Sequence, residues 1–540
     1  MIRHKKNMDD KNLLRAGLIF RTPTLFDGVK KRIDQIYCLI NTYIPRRDYQ
    51  VIRGGLNSLY SIVFKYIDIR NGTFFPSSII QAYDLSSDSF LNDVLEKLAA
   101  LHRIAAKEKD LELSKEIIDC LAKIAIKCTE IKYTTTSLSE YTHCILAVQY
   151  MQQSIEDNLS SDLLDIGING SQNLRNIGVI LISKNAQTDI RMILEHLAKI
   201  AMFGIAKPKA SFLISYPMQA YSMFLRAWLF GKDVYDEFLP KSILEKVQGI
   251  VEMYLKFRDL IVDPLSVEMQ YAFGDFIDLS KPIAMPYIFD EAYKFLIDKK
   301  TKDEEKKKVI GNLLDFGHEI WHFYDTLAKA AAEKESFMIH FMDANIFHIT
   351  MSLLELYQSE LVDDEQKDKI RDDITWIISN YWRIYHYHTK ITKNYEMQMI
   401  ENLLRIGYEF NNLSLFKELD EVIGIIVSIA ESFLEKQQDS YGFDPPRILE
   451  KACYLCILNG TEDIKKKFIT RIKDKFWKNY ITKYTRAENR ELLFRELSSV
   501  DPERLKWEGH PLSFEDTLLS KLNKKDIDGF IDFLKQELGK

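Results

Sequence analysis

The sequence predicts an all-α protein, an irregular α-solenoid of stacked helical repeats in two or three lobes. The main observation is a recurring spacing of apolar residues at offsets of three and six, often followed by Ala or Gly at the next position. Residues at these offsets lie along one face of an α-helix. Proline and glycine are sparse, with 13 and 21 in 540 residues, which favours long helices over many turns. The chain has no convincing run of alternating β-branched residues, so we expect little strand.

The spacing is clearest in three segments and looser in four others. The clear copies are Leu98 to Ala105, Ile118 to Ala125 and Leu194 to Ala201. The looser copies end in a small residue at Gly178, Gly317, Gly407 and Ala430. A small side chain in the middle of an apolar stripe lets a neighbouring helix approach closely. One such helix cannot bury its own apolar face, whereas a stack of neighbours can.

The five-residue string Leu-Ala-Lys-Ile-Ala occurs twice, at 121–125 and at 197–201. Both strings resemble the inner-helix signature of armadillo and HEAT repeats, in which an Ala-Leu-x-x-Ile-Ala pattern is common. The resemblance is one of architecture, in scattered copies over about half of the chain. It implies a curved helical surface that binds other macromolecules, and it carries over no catalytic residues.

Loops and changes of composition divide the chain into four regions. We expect an N-terminal helical lobe at 1–153, a middle helical lobe at 154–300, a third helical lobe at 301–443 and a C-terminal helical region at 444–540. The middle lobe is expected to be the least regular, because it contains breaks at Pro208, Pro217, Pro264 and Pro282.

The composition indicates a cytoplasmic protein with no transmembrane segment. A net charge of −6 is too small to identify a partner. The six cysteines have no framework spacing and are expected to be reduced thiols. The first ten residues have no apolar core of signal-peptide length, and no stretch of 18 apolar residues is free of charge. We find no Gly-rich phosphate loop and no nucleophile elbow, which disfavours nucleotide binding.

The sharpest catalytic pattern is at 318–322, which reads His-Glu-Ile-Trp-His. On a helix, His318 and His322 would lie one turn apart and bind Zn²⁺, while Glu319 would activate a water molecule. Asp325 lies on the same stripe and is the candidate for a further ligand. The pattern also fits a polar outer stripe, because the two histidines face away from the apolar residues of this repeat copy. The sequence favours this second interpretation, in which the protein binds no cofactor.

Other polar patterns are weaker, and packing explains each of them more simply. Six of the eleven histidines lie between 318 and 388, in a region rich in aromatic residues: His318, His322, His340, His348, His386 and His388. Two Arg-x4-His pairs match the loose pattern of helical ribonucleases of the HEPN type: Arg191 with His196, and Arg383 with His388. Two Glu-x-x-His pairs resemble those of di-iron bundles: Glu140 with His143, and Glu319 with His322. Cys453 and Cys456 lie on one helix stripe and are expected to be core thiols.

A strongly basic segment lies near the C-terminal end of the chain. It has one acidic residue, Asp474, and nine basic residues: Lys465, Lys466, Lys467, Arg471, Lys473, Lys475, Lys478, Lys483 and Arg486. Four aromatic residues are interleaved with them: Phe476, Trp477, Tyr480 and Tyr484. The segment is either a solvated helix whose aromatic rings face the core or a surface that binds phosphates or an acidic partner.

These patterns favour a non-enzymatic scaffold or regulatory subunit that binds a protein partner, because repeats dominate and no coherent catalytic set is found. The first alternative is a metal-dependent hydrolase or nuclease centred on the segment 318–322. The second is a nucleic-acid-binding adaptor that uses the basic aromatic segment, a role that would suit a prokaryotic defence-type complex. The sequence leaves the oligomeric state open.

Overall fold

The fold is entirely helical in the part of the chain that the structure, a computed structural model, describes. Described are residues 23–71, 89–131, 141–231, 238–258, 300–314, 339–389, 396–436, 445–486 and 521–539, with a few positions among 292–298 and at 488–489. The chain forms two compact units. The first comprises Met1–Phe276 with Ser280–Met285, and the second comprises Ile277–Leu279 with Pro286–Lys540. The prediction of an all-α protein is confirmed.

The first unit contains nine long helices and one short 3-10 helix in its described residues. The long helices are α1 Pro23–Tyr43, α2 Tyr49–Arg70, α3 Ser89–Lys107, α4 Leu111–Cys128, α5 Thr142–Ser160, α6 Asp165–Ser183, α7 Gln187–Ala206, α8 Ser215–Phe230 and α9 Leu239–Arg258. The 3-10 helix, Pro208–Ile214, lies between α7 and α8. Pro208 begins it, where a missing backbone N–H is tolerated.

Helices of the first unit pack in two layers. The odd-numbered helices contact one another in sequence, α1 with α3, α3 with α5, α5 with α7 and α7 with α9. The even-numbered helices do the same, α2 with α4, α4 with α6 and α6 with α8. Consecutive helices also pack against each other across the two layers, as α4 does on α5. This is the arrangement of a solenoid, in which each repeat buries its apolar face against the next.

The second unit repeats the arrangement. Its named helices are α10 Ile339–Gln358, α11 Asp364–Thr389, α12 Glu396–Asn412, α13 Phe416–Lys436, α14 Pro445–Asn459, α15 Glu462–Arg471, α16 Asp474–Thr485 and α17 Lys524–Leu538. One layer contains α10, α12 and α14, and the other contains α11, α13 and α15. At the end of the stack, α17 packs against α14 and α16. Helical-repeat, solenoid-like architecture is therefore present in both units.

Small residues lie at close contacts between helices, as the sequence predicts. A Cβ atom on Gly178 of α6 would lie 2.4 Å from the Phe224 ring of α8. A Cβ atom on Gly407 of α12 would lie 2.7 Å from Leu455 of α14. The alanines at the equivalent positions are fully buried: Ala105, Ala125, Ala201 and Ala430. Both glycine contacts join helices within one layer, so the small residues set the spacing of the stack.

Local signals explain where several helices begin and end. The Asp110 side chain accepts a hydrogen bond from the Leu113 backbone N–H at 3.1 Å and caps the start of α4. Asn523 and Asp526 form a capping box at the start of α17. The turns before α4 and α7 use left-handed residues, Lys109 with φ 54° and Asn185 with φ 57°.

The division into four regions stays a prediction, and one expected boundary falls inside a helix. Helix α5 runs through position 153, where the first boundary was expected, because its apolar face packs on α3, α4 and α7 alike. None of the helices in the described residues is long and apolar enough to cross a membrane.

Candidate functional site

The basic segment lies on α15 and α16 of the second unit. We call the nine basic side chains between Lys465 and Arg486 the basic surface. Eight of them are exposed, and Lys465 is half-buried. A short connection at 472–473 separates the two helices. Thr461 caps α15, its hydroxyl accepting a hydrogen bond from the Ile464 N–H at 3.3 Å. The structure therefore places these cations on the outside of two adjoining helices.

Three of the four aromatic residues of the segment, Trp477, Tyr480 and Tyr484, are buried in the core, and Phe476 is half-buried. Trp477 is 0% exposed, and its indole N–H donates to the Ile469 carbonyl oxygen at 3.0 Å. Its ring meets Phe468 edge-on, with centroids 5.3 Å apart, and also contacts Phe530 of α17. Tyr480 is buried as well, and burial raises its hydroxyl pKa. Three of the four rings of this segment are therefore unavailable for stacking on unpaired bases, and binding of phosphates or an acidic partner by the basic surface stays a prediction.

Three members of the basic surface are already paired. Lys467 lies 3.6 Å from the Asp420 carboxylate, and Arg471 lies 3.7 Å from the same carboxylate. Lys483 lies 2.8 Å from Glu450, whose carboxylate also accepts a hydrogen bond from Tyr484. Five exposed cations have no ion-pair partner among the described residues: Lys466, Lys473, Lys475, Lys478 and Arg486. These five supply the uncompensated positive charge.

A groove of 550 Å³ lies in the layer formed by α11, α13 and α15. It is lined by Ser379 of α11, by Arg471 of α15, and by Glu421, Gly424, Ile425, Val427, Ser428 and Glu431 of α13. Sequence reasoning identified Arg471 as part of the basic surface but did not identify the groove. The available signal was Gly424, which lies inside an apolar helix but away from the small position of its repeat copy.

A smaller cleft of 240 Å³ lies between α2 and α4 in the first unit. Arg53 pairs with Glu116 at one end, and the Lys123 ammonium lies 5.9 Å from the Tyr60 ring centre at the other. Asp119 accepts hydrogen bonds at 2.8 and 2.7 Å from the side-chain amides of α6: Asn169 and Asn173. Two cations and two carboxylates line this cleft, so its charge favours no class of ligand.

The candidate metal residues His318, Glu319, His322 and Asp325 lie outside the described residues, so the zinc hypothesis stays a prediction. Within the described residues, no group of three or more His, Cys, Asp or Glu is arranged to hold a metal ion. Of the other clustered histidines, His340 lies on α10 and His386 on α11. Their side chains, and those of His348, Arg383 and His388, are outside the described set.

Arg191 and His196 lie on α7, but they do not form a solvent-accessible acid–base pair. Arg191 is exposed, whereas both ring nitrogens of His196 are buried and have no hydrogen-bond partner among the described residues. Burial lowers the His196 pKa to about 4, so the ring is neutral near pH 7 and shielded from a substrate. Glu140 lies outside the described residues, and its predicted companion His143 is buried.

Both cysteines of the Cys453-x-x-Cys456 pattern are core residues. Each is 0% exposed, and burial raises the thiol pKa of both. They are therefore neutral thiols, unsuited to nucleophilic chemistry. None of the six cysteines, all of which lie in the described residues, forms a disulfide bond.

Comparison with known proteins finds no matching family model and no matching curated protein. Among solved structures, the chain is similar to a circular tandem repeat protein described as having a novel repeat topology and enhanced subunit contact surfaces. That match has a TM-score of 0.33 and 13% identity, and covers 94% of this chain and 96% of that chain. A second match is a homology model of the full-length AP-3 complex in an intermediate open conformation. It has a TM-score of 0.19 and 10% identity, and covers 99% of this chain and 93% of that chain. Because both TM-scores are low, neither match assigns a function.

Proposed function

We propose that this protein is a non-enzymatic helical-repeat scaffold or regulatory subunit that binds a protein partner. The observation that supports this proposal is the two-layer stack in each unit, in which alternate helices pack side by side. Stacking of this kind leaves one face of each successive helix available as a continuous surface. The buried neutral thiols and the shielded His196 support a role without catalysis. Six cysteine thiols, none of which is in a disulfide bond, support a cytoplasmic location.

The test is to identify a partner and then to rebuild the complex from purified proteins. Cross-linking of the full-length chain in its native host, followed by mass spectrometry, would name candidates. Size-exclusion chromatography with light scattering would then measure whether a candidate forms a complex of fixed stoichiometry. We expect such a complex. A chain that stays a free monomer with every enriched candidate would contradict the proposal.

The second candidate function is nucleic-acid binding through the basic surface. The supporting observation is the set of five exposed cations on and beside α15 and α16 that have no ion-pair partner among the described residues. Because three of the four interleaved aromatic rings are buried, the surface suits a phosphate backbone better than unpaired bases. Such contacts carry no sequence information, so we expect binding that does not depend on sequence.

Salt dependence distinguishes this second candidate. Binding of a duplex oligonucleotide should weaken steeply with salt, and Lys473→Glu with Lys475→Glu should weaken it by about ten-fold or more at low salt. The matched control reverses two exposed lysines of the first unit, Lys107→Glu with Lys209→Glu, which gives the same change in net charge. Equal losses in both variants would show only an effect of net charge. Unchanged binding in the Lys473/Lys475 variant would exclude the basic surface.

A further inference from the structure

The groove of the second unit is built around a contact between an arginine and a glycine. A Cβ atom on Gly424 would lie 2.6 Å from the Arg471 Nη1 atom, so the guanidinium rests directly against the backbone of α13. Glycine weakens the interior of a helix relative to alanine. Its presence in α13 is explained by the space that this guanidinium occupies.

The Arg471 side chain contacts Asp420 on one side and lines the groove on the other. Its Nη1 atom donates to the Asp420 carbonyl oxygen at 3.5 Å, and its Nη2 atom lies 3.7 Å from the Asp420 carboxylate. The side chain is still 41% exposed. A guanidinium carries five N–H donors in a rigid plane, and Asp420 is its only polar contact among the described residues. Donors therefore remain for a carboxylate that enters the groove.

Two carboxylates mark the ends of the same helix face. Glu421 and Glu431 both line the groove, and ten residues of α13 separate them, a distance of about 15 Å along the helix axis. The Ser379 hydroxyl donates to one oxygen of Glu421 at 3.2 Å. Glu431 is exposed and has no partner among the described residues. The groove therefore presents negative charge at both ends and a guanidinium between them.

We propose that this groove docks a helical segment of a protein partner that carries an acidic side chain between two basic ones. The acidic side chain would meet Arg471 over Gly424, and the basic side chains would meet Glu421 and Glu431. Along α13, Gly424 follows Glu421 by three residues and precedes Glu431 by seven. On a docked helix parallel to α13, the matching spacings of three and seven also fall on one face. This inference rests on the proposed scaffold function and names the partner chemistry of one surface.

Synthetic peptides of 16 residues test this charge order directly. The first is alanine-rich and helical, with Lys at position 3, Glu at 6 and Lys at 13, and the second has all three charges reversed. Fluorescence anisotropy with the full-length protein measures both dissociation constants. We expect the Lys–Glu–Lys peptide to bind about ten-fold or more tightly than the reversed peptide. Equal binding of the two peptides would overturn the inference.

Substitutions locate the binding. Arg471→Ala and Gly424→Ala should each weaken binding of the first peptide about five-fold or more. The alanine at 424 would do so by displacing the guanidinium. Gly529→Ala is the matched control, because a Cβ atom there has no heavy atom within 4 Å. Arg471→Glu should shift the preference to a peptide with Lys at its centre. Circular dichroism checks that each variant is folded, and a preference that does not follow residue 471 overturns the inference.

The result is separable from the scaffold proposal. If a partner bound the full-length protein equally well after Arg471→Ala and Gly424→Ala, the groove would be excluded as the docking site. The proposed scaffold function would not be contradicted. If Arg471→Ala abolished binding of an oligonucleotide but not of the peptide, this arginine would be a phosphate-binding residue. That outcome would also overturn the inference.

Discussion

At the scale of single residues, a buried histidine makes stability depend on pH. His102 of α3 is 1% exposed, and its Nε2 atom lies 2.8 Å from the Asn158 side-chain amide of α5. Burial lowers the His102 pKa from 6.5 to about 4, an effect that nearby Asp157 only partly offsets. The native protein therefore holds this ring neutral at pH values where the unfolded chain binds a proton.

The first prediction is a loss of stability on mild acidification. The contribution of His102 is fully present above pH 6.5, falls as pH drops through the window between 6.5 and about 4, and is constant below it. At pH 5 we expect the free energy of unfolding to be lower than at pH 7 by about 2 kcal/mol from this residue. Urea unfolding at both pH values measures the difference. His102→Gln should remove this share, and an unchanged pH dependence in that variant would contradict the prediction.

A second residue shares this behaviour, so the variant should reduce the pH dependence without abolishing it. The pKa of His196 is also lowered to about 4 by burial, with a further contribution from the nearby Lys199. His196 is only half-buried, so its share should be smaller than that of His102. The double variant His102→Gln with His196→Gln should therefore have a weaker pH dependence than either single variant.

At the scale of helices, the tight glycine contacts give the second prediction. Gly178→Ala would place a methyl group 2.4 Å from the Phe224 ring and 3.2 Å from Ile190. Because the ring is buried between helices, we expect a loss of about 1–3 kcal/mol. Gly529→Ala, at an open position of α17, should instead stabilise its helix by up to about 1 kcal/mol. Chemical denaturation measures the free energy of unfolding of both variants. A gain in stability from Gly178→Ala would contradict close packing as the role of these positions.

The same positions show why the architecture could be predicted from sequence. A small residue repeated in an apolar stripe has a local signature, so the burial of Ala125 and Ala201 follows from periodicity alone. The inward direction of Trp477 does not, because basic and aromatic residues alternate there and two opposite interpretations fit the pattern. Contacts in the folded protein decide between them, with Phe468 of α15 and with Phe530 of α17, far along the chain. The groove at Gly424 also depends on contacts between separate helices, so sequence alone does not predict it. The zinc site at 318–322 remains a prediction.

At the scale of the whole molecule, the two compact units predict how the chain divides. Each unit contains its own stack, whose helices contact their neighbours and next neighbours along the chain. In such stacks stability is close to a sum of repeat and neighbour contributions. A division between units should therefore cost much less than a division within one.

The third prediction compares two cuts. Fragments 1–285 and 286–540, expressed separately, should each be helical by circular dichroism and unfold cooperatively, since each retains its own buried core. A matched cut after Lys184, in the turn between α6 and α7, separates α5 from α7 and α6 from α8. It exposes apolar faces in both layers, so we expect lower melting temperatures and aggregation of the resulting pieces. If the cut after Lys184 were tolerated better than the cut at 285, folding would not follow the units, and the neighbour contacts within a stack would not be the main source of stability.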